Sequence, residues 1–312
     1  MEEGTTLYFL AGVTASGKSE LALEWAESRD AEILSCDSIA IFRGMDLGSA
    51  KPTPGERMRV PHHGLDLVEV SQGYDVSQYE RYARQVVTDA RTRGRALLVV
   101  GGSGFYLQSF FEPIIDEVEV TDEIRRQVVD LHETQGIFGL VDRLKELNGG
   151  EPLDLDEKNP QRLQRALERC LGSGLKLSEL RERFQSLPTP YPSFRKECIW
   201  LDRTDEDLAE RIEARTKAMI RAGLVEETES LIGQGFLANH SAYSSVGYRE
   251  AHAFLRNEIS RTDLVPSICR STRKLVAKQR KWFRKRFPVE SRLLLDASSI
   301  VRADELKWCS GT

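Results

Sequence analysis

Apolar residues in this chain gather in short unbroken runs, separated by longer stretches in which apolar and polar positions mix. Leu7-Tyr8-Phe9-Leu10-Ala11, Ala31-Glu32-Ile33-Leu34-Ser35-Cys36, Arg95-Ala96-Leu97-Leu98-Val99-Val100 and Cys198-Ile199-Trp200-Leu201 are runs of this kind. Runs this short, without alternation, predict strands buried on both faces. The intervening stretches Glu20–Ala26 and Val76–Arg93 carry helical spacing, and Gly94 ends the second. Strand, helix, strand in succession predicts βαβ units, and hence an α/β fold: a parallel sheet flanked by helices. Gly48, Pro52, Pro54 and Gly55 mark residues 44–60 as a loop.

From about Asp116 to Pro192 the composition turns charged and rich in helix formers. This shift predicts an inserted helical subdomain, residues 117–192, within a core made of residues 1–116 and 193–312. Inside it, Pro160 to Arg169 reads as a helix with Asn159 at the N-cap. Leu163, Ala166, Leu167 and Cys170 fall on one face, and Arg162, Arg165 and Arg169 on the other. Beyond the insertion, residues 202–232 predict one or two amphipathic helices. Arg211 and Arg215 share a face there, with Glu210 and Glu213 near enough to be surface partners.

Composition changes the picture in one respect. The chain has 312 residues, 40% of them hydrophobic, and a net charge of -5, which alone argues against a nucleic-acid partner. Yet residues 270–286 hold nine basic residues and no acidic one, leaving 35 basic against 49 acidic residues, a net -14, elsewhere. Nine cations without local counter-charges repel one another, so this helix calls for an external polyanion. Trp282, Phe283 and Phe287 are interleaved with the charges. The five cysteines are scattered and the histidine pair His62-His63, read as loop, stands alone, so neither a disulfide framework nor a metal site is expected. Met1-Glu2-Glu3-Gly4 leads almost directly into the first strand without a signal core, and no run is long enough to span a bilayer. A cytoplasmic protein is expected, with no membrane partner, as a monomer.

The candidate chemistry begins at Gly12-Val13-Thr14-Ala15-Ser16-Gly17-Lys18-Ser19, which fits the phosphate-loop pattern G-x-x-x-x-G-K-[ST] between strand and helix. Backbone N–H groups and the helix N-terminus face the anion, Lys18 reaches phosphate oxygens, and Ser19 is the expected Mg2+ ligand. A βαβ crossover brings Asp37, after the second strand, to the same rim. The third strand ends in Gly101-Gly102-Ser103-Gly104, where nucleotide hydrolases of this class usually carry an acid. Ser103 offers a hydroxyl at that rim instead.

These stretches resemble the bacterial tRNA dimethylallyltransferases, also called tRNA isopentenyltransferases. The matching segments are Gly12–Ser19, Asp37-Ser38, Arg43–Pro52, Val100–Tyr106, Asn159–Leu163 with Arg165–Glu168, Arg211-Ile212 with Arg215, and Val246–Arg249, in order over nearly the whole chain. The resemblance implies transfer of a dimethylallyl group from its diphosphate to N6 of an adenosine beside the tRNA anticodon, with Mg2+ as cofactor. It implies Asp37 as the group that orients N6 and accepts its proton, Arg215 as a diphosphate contact, and Ser103 facing the reaction centre. The diphosphate would lie on Gly12, Thr14, Ala15, Ser16, Gly17, Lys18 and Ser19. The tRNA would be gripped by Asp37, Ser38, Ile39 and Ala40; by Gln161, Arg162, Leu163, Gln164 and Arg165; by Ser245, Val246, Gly247, Tyr248, Arg249 and Glu250; and by Lys278, Arg280, Lys281, Arg284 and Lys285. The chain departs from the family in Ile39-Ala40-Ile41-Phe42, in Val13 for a common proline, and in Ser19 and Ser103 for threonines. A phosphate-loop kinase and a nucleotide-gated RNA-binding module are the competing readings.

Overall fold

A computed structural model describes residues 6–116, 118–299 and 301–311, so the reading of Met1–Gly4 lies outside the described residues. The chain divides into two compact units. One takes in the described residues of Met1–Glu112 and Pro190–Thr312, and the other is Pro113–Thr189. The second unit thus starts and stops three to four residues before the expected 117–192.

The first unit is built on a seven-stranded sheet: β1 (Thr6–Gly12), β2 (Glu32–Cys36), β3 (His62–His63), β4 (Leu97–Gly101), β5 (Arg195–Arg203), β6 (Arg292–Leu295) and β7 (Cys309–Ser310). The order is β3-β2-β4-β1-β5-β6, all parallel, while β7 runs antiparallel beside the start of β5. His62-His63, expected in a loop, pairs with Ile33 and Leu34 as an edge strand, and His63 Nε2 lies 2.7 Å from Glu32. The sheet is buried on both faces, as unbroken apolar runs require. Leu7, Phe9, Leu97, Val99, Cys198 and Trp200 turn to one core, and Leu10, Leu98, Ile199 and Leu201 to the other.

Helix α1 (Lys18–Ser28) covers the second face with Leu21, Leu23 and Trp25. A short helix α2 (Pro54–Arg59) breaks the expected loop: Thr53 and Glu56 form a capping box with Pro54 at the first position, so the proline starts a helix there. The other face is covered by α3 (Val76–Thr92), α4 (Gly104–Gln108) and, later in the chain, α12 (Arg261–Arg286). Asp75 and Gln78 cap α3 in the same reciprocal way.

The second unit holds α5 (Asp122–Leu147), kinked at Gly136, α6 (Pro160–Ser173) and α7 (Leu177–Gln185). Asn159 caps α6 by accepting from the Arg162 N–H, and Gly174 ends it in the left-handed region. Its core is its own: Val128, Leu140, Leu144, Leu163, Leu167 and Leu180 pack together.

After β5 come α8 (Asp205–Arg221), α9 (Leu224–Ile232), α10 (His240–Tyr243), α11 (Tyr248–Leu255) and the long α12 (Arg261–Arg286). Phe283 of α12 stacks on Trp200 of β5 with ring centroids 5.3 Å apart, fixing the basic helix to the sheet. Val13 of the phosphate loop is itself fully buried against Leu208 and Ile212 of α8 and Cys269 and Val276 of α12. That small core explains why an apolar side chain follows Gly12.

Candidate active site

Register brings the pieces together. Ala11 pairs with Gly101, Gly12 with Leu201, and Cys36 with Gly101, so the strand ends of β1, β2, β4 and β5 share one rim. After β1 the chain supplies β2, β3 and β4 to one side and β5 and β6 to the other. A ligand crevice forms at such a reversal. Glycine at both rim positions is required by contact: a Cβ on Gly12 would stand 2.3 Å from the Leu201 carbonyl oxygen, and one on Gly101 2.0 Å from that of Cys36.

In the loop that leaves β1, Ala15 and Gly17 both adopt positive φ, 64° and 97°. Residues in that region alternating with ordinary backbone turn successive N–H groups inward, the geometry that receives an anion. Holding alanine there has a strain cost. Three arginines hold the loop from outside. Arg203 Nε donates to the Ser16 carbonyl at 2.8 Å, Arg211 Nε to the Ala15 carbonyl at 2.9 Å, and Arg215 Nη1 to Thr14 Oγ1 at 3.3 Å. With the carbonyls tied outward, the amides stay turned inward. Arg203 is in turn paired with buried Asp207 at 2.6 Å. Glu210 and Glu213 are therefore not the partners of Arg211 and Arg215; Glu213 pairs with Lys217 instead.

Lys18 Nζ donates to the Val13 carbonyl at 2.7 Å. Burial lowers its pKa to about 8, with nearby Arg215 pushing the same way and Asp37 opposing. Arg215 is also lowered by burial, again with Asp37 opposing. Two cations and one carboxylate thus face each other across the rim, with cationic charge in excess. Ser19 is exposed at the first turn of α1.

Asp37 Oδ1 accepts from the Ile39 N–H at 2.8 Å, which fixes the carboxylate against its own loop. Ser103 Oγ accepts from the Ser38 N–H at 3.0 Å and lies 3.3 Å from Ser38 Oγ, locking the β2 and β4 loops together. Phe105, next along, is 71% exposed. Gln279 of α12 completes the rim: its Oε1 accepts from the Thr14 N–H at 3.0 Å and its Nε2 donates to the Gly102 carbonyl at 3.1 Å.

Residues 40–286 match the model of the IPP transferase family. The chain belongs to that family. It is 45% identical over 298 residues to a tRNA dimethylallyltransferase of Opitutus terrae, covering 94% of this chain and 96% of the relative. A tRNA dimethylallyltransferase of Geobacter metallireducens is 36% identical, with 91% of each chain covered. Among solved structures, the tRNA delta(2)-isopentenylpyrophosphate transferase of Staphylococcus epidermidis superposes with a TM-score of 0.65 at 28% identity, over 95% of this chain and 94% of that one. A eukaryotic dimethylallyltransferase acting on tRNA shares the fold at a TM-score of 0.80 and 23% identity, over 95% and 74%.

Within this family frame, several residues expected on the nucleic-acid surface have other places. Leu163 is fully buried in the second unit's core, and Ala40 is buried, its carbonyl accepting from the Asp66 N–H. Tyr248 has no exposed surface. Its hydroxyl donates to Glu227 at 2.5 Å and accepts from the Gly48 N–H at 3.1 Å, and a Cβ on Gly48 would strike its ring. Glu250 is buried and caps the Gly247 N–H at 2.9 Å; Gly247 is buried too, while Ser245 and Val246 are half-buried and Arg249 is exposed. Arg280 pairs with Asp202 at 3.0 Å and with Asp205, and donates to the Arg203 carbonyl at 2.6 Å. By contrast Lys278, Lys281, Arg284 and Lys285 are exposed, as are Gln161, Arg162 and Arg165 on their own unit, where Arg165 pairs with Glu168 and half-buried Gln164 with His132. Arg203 and Gln279 escape a reading by motif. The only sequence signals for them are the strand end preceding Asp205 and a single amide within a run of cations.

Proposed function

We propose that this chain moves a dimethylallyl group from dimethylallyl diphosphate to N6 of the adenosine 3′ to a tRNA anticodon, releasing diphosphate. The observation that carries the reading is the rim itself: an anion nest and two cations stand opposite a fixed carboxylate, and β4 ends in glycine where a hydrolase would place an acid. The donor's diphosphate lies on the inward amides of Ala15 to Ser19, with Lys18 leaving the Val13 carbonyl to meet it and Arg215 beside it. As the C1–O bond breaks, charge gathers on the diphosphate, where these donors are already aimed. N6 attacks C1, and its proton passes to Asp37, whose Oδ1 is pre-oriented by Ile39 N–H. Ser103 and Ser38 hold that loop at its distance from the glycine turn.

Among the described residues no group of three or more His, Cys, Asp or Glu stands ready to hold a metal by itself. One hydroxyl, Ser19, exposed at the first turn of α1, fits Mg2+ that arrives with phosphate oxygens and keeps its waters. Bound so, it would supply charge neutralisation to the leaving group.

The target adenosine must leave the anticodon-loop stack to reach Asp37. Lys278, Lys281, Arg284 and Lys285 offer phosphate contacts beside the rim, and exposed Phe105 offers a face for a neighbouring base. Among the described residues no helix is long and apolar enough to cross a membrane. We read the protein as a cytoplasmic monomer.

The test is incubation with unmodified tRNA, Mg2+ and labelled dimethylallyl diphosphate. Label should enter the tRNA, and Asp37→Ala should slow transfer by roughly two to four orders of magnitude while diphosphate still binds. An unlabelled tRNA together with ATP consumption on a small acceptor would sink the proposal.

A further inference from the structure

Helix α12 has two working faces. On one, Lys278, Lys281, Arg284 and Lys285 are exposed. On the other, Gln279 reaches into the site already described and Trp282 packs over Gly104, where a Cβ would stand 2.7 Å from the indole. A Gln is matched to its place here because it alone, at that length, offers one acceptor and one donor at the same tip. It uses both: the acceptor takes the Thr14 N–H and the donor meets the Gly102 carbonyl. Gly102 has to be glycine for this approach, since a Cβ would lie 2.6 Å from Gln279 Nε2 and 2.7 Å from the Gly12 carbonyl oxygen. Thr14 is thereby held on both sides, its N–H by α12 and its hydroxyl by Arg215 of α8. The Thr14 N–H is consequently not one of the donors left for an anion.

We propose that Gln279 is a positioning residue that couples the cationic helix to the phosphate loop, so that a polyanion seated on α12 sets the geometry in which diphosphate is held. The proposal rests on the tRNA-modifying reading of the site. Gln279 touches neither reactant; it fixes the separation between the Thr14 shoulder of the loop and the glycine turn that carries Ser103. An RNA strand that pulls α12 toward its phosphates acts on both through the two directional hydrogen bonds of Gln279; α12 also packs Cys269 and Val276 against Val13 and Trp282 over Gly104, apolar contacts without that direction, while Phe283 on Trp200 and Arg280 on Asp202 anchor it to β5.

Gln279→Met keeps the bulk and removes both hydrogen bonds; Gln279→Glu keeps the acceptor for Thr14 and loses the donor. The probes are Mg2+-diphosphate and an anticodon stem-loop, with binding of each measured alone and in the presence of the other on the full chain. In the wild-type protein the stem-loop should tighten diphosphate binding about fivefold or more. In Gln279→Met that enhancement should vanish, with stem-loop affinity within about twofold of wild type, kcat down at least about tenfold and melting temperature nearly unchanged. Gln279→Glu should retain part of the enhancement. Three results would overturn the proposal: no enhancement in the wild-type protein, an enhancement that survives Gln279→Met, or a common loss of both affinities with a fall in melting temperature, which marks a purely structural side chain. Wild-type protein that binds both probes but labels no tRNA would instead refute the functional reading, so the two failures are told apart.

Discussion

Lys18 and Arg203 show how single residues set the loop's chemistry. With its pKa lowered to about 8 by burial and by Arg215, Lys18 is largely charged at neutral pH and loses its proton in mildly alkaline solution. In the proposed diphosphate site the charged form is the one that binds. Affinity should therefore hold below about pH 8 and fall by up to about tenfold per pH unit above it, with a proton taken up on binding in that range. Calorimetry in buffers of different ionisation enthalpy reads the uptake directly; in Lys18→Arg, which stays charged, the uptake should disappear. Arg203 is a different case, since it is buried, paired with buried Asp207, and tied to Ser16. Asp207→Asn leaves that guanidinium without a counter-charge and should cost about 3 kcal/mol of stability, seen in the urea midpoint. If the midpoint stays where it was, the Ser16 carbonyl and that of Asp296, which accepts from Arg203 Nη1 at 3.2 Å, suffice to hold Arg203. Lys18 was legible from the sequence and Arg203 was not: the phosphate loop announces its own glycines and lysine, whereas its supports come from residues nearly two hundred positions away.

Among the elements, α12 divides its cations between two jobs. Arg280 and Arg286 are spent on Asp202, Asp205 and Glu112, while Lys278, Lys281, Arg284 and Lys285 make no ion pair among the described residues. Replacing these four by Ala should weaken tRNA binding and flatten its salt dependence, by roughly 0.7 to 0.9 in the log–log slope for each phosphate left without its cation, with diphosphate affinity nearly unchanged. Arg280→Ala should act on stability instead, costing about 1–2 kcal/mol, since fully buried Asp202 loses one charged partner and keeps Arg292 at 2.7 Å. Filter binding over a salt series and thermal unfolding separate the two. The sequence identified the helix by its charge excess, but charge alone cannot say which cations turn inward. Strands were legible because double burial leaves unbroken apolar runs; α2 was not, because Pro54 reads as a breaker until Thr53 and Glu56 are seen to cap it. Tyr248, which the resemblance implies on the tRNA surface, is buried because Glu227 and Gly48 close over its hydroxyl.

Across the full chain, each compact unit has a core of its own. The second unit packs Leu163, Leu167 and Leu140 among its own helices, so Leu167→Ala should cost about 2–5 kcal/mol there and leave diphosphate affinity intact. A calorimetric trace in which only one of two transitions moves would bear this out; a single transition that shifts as a whole would refute it. The shift to charged, helix-forming sequence near Asp116 marked the inserted unit, while its bounds at Glu112 and Pro190 leave no signal in composition. One property of the sheet bears on how the chain is made. β1 lies inside the sheet yet precedes its other described strands in the chain, and its two neighbours are β4 and β5. β4 is complete at Gly101, whereas β5 is complete only at Arg203. At the usual speed of synthesis that gap of about one hundred residues takes roughly 5–20 s. For that time the nascent chain carries β1 with one bare edge, and the anion nest lacks Arg203, Arg211 and Arg215. The loop and its lysine are thus made before the side chains that hold it open, so the order of synthesis sets when the nest can form.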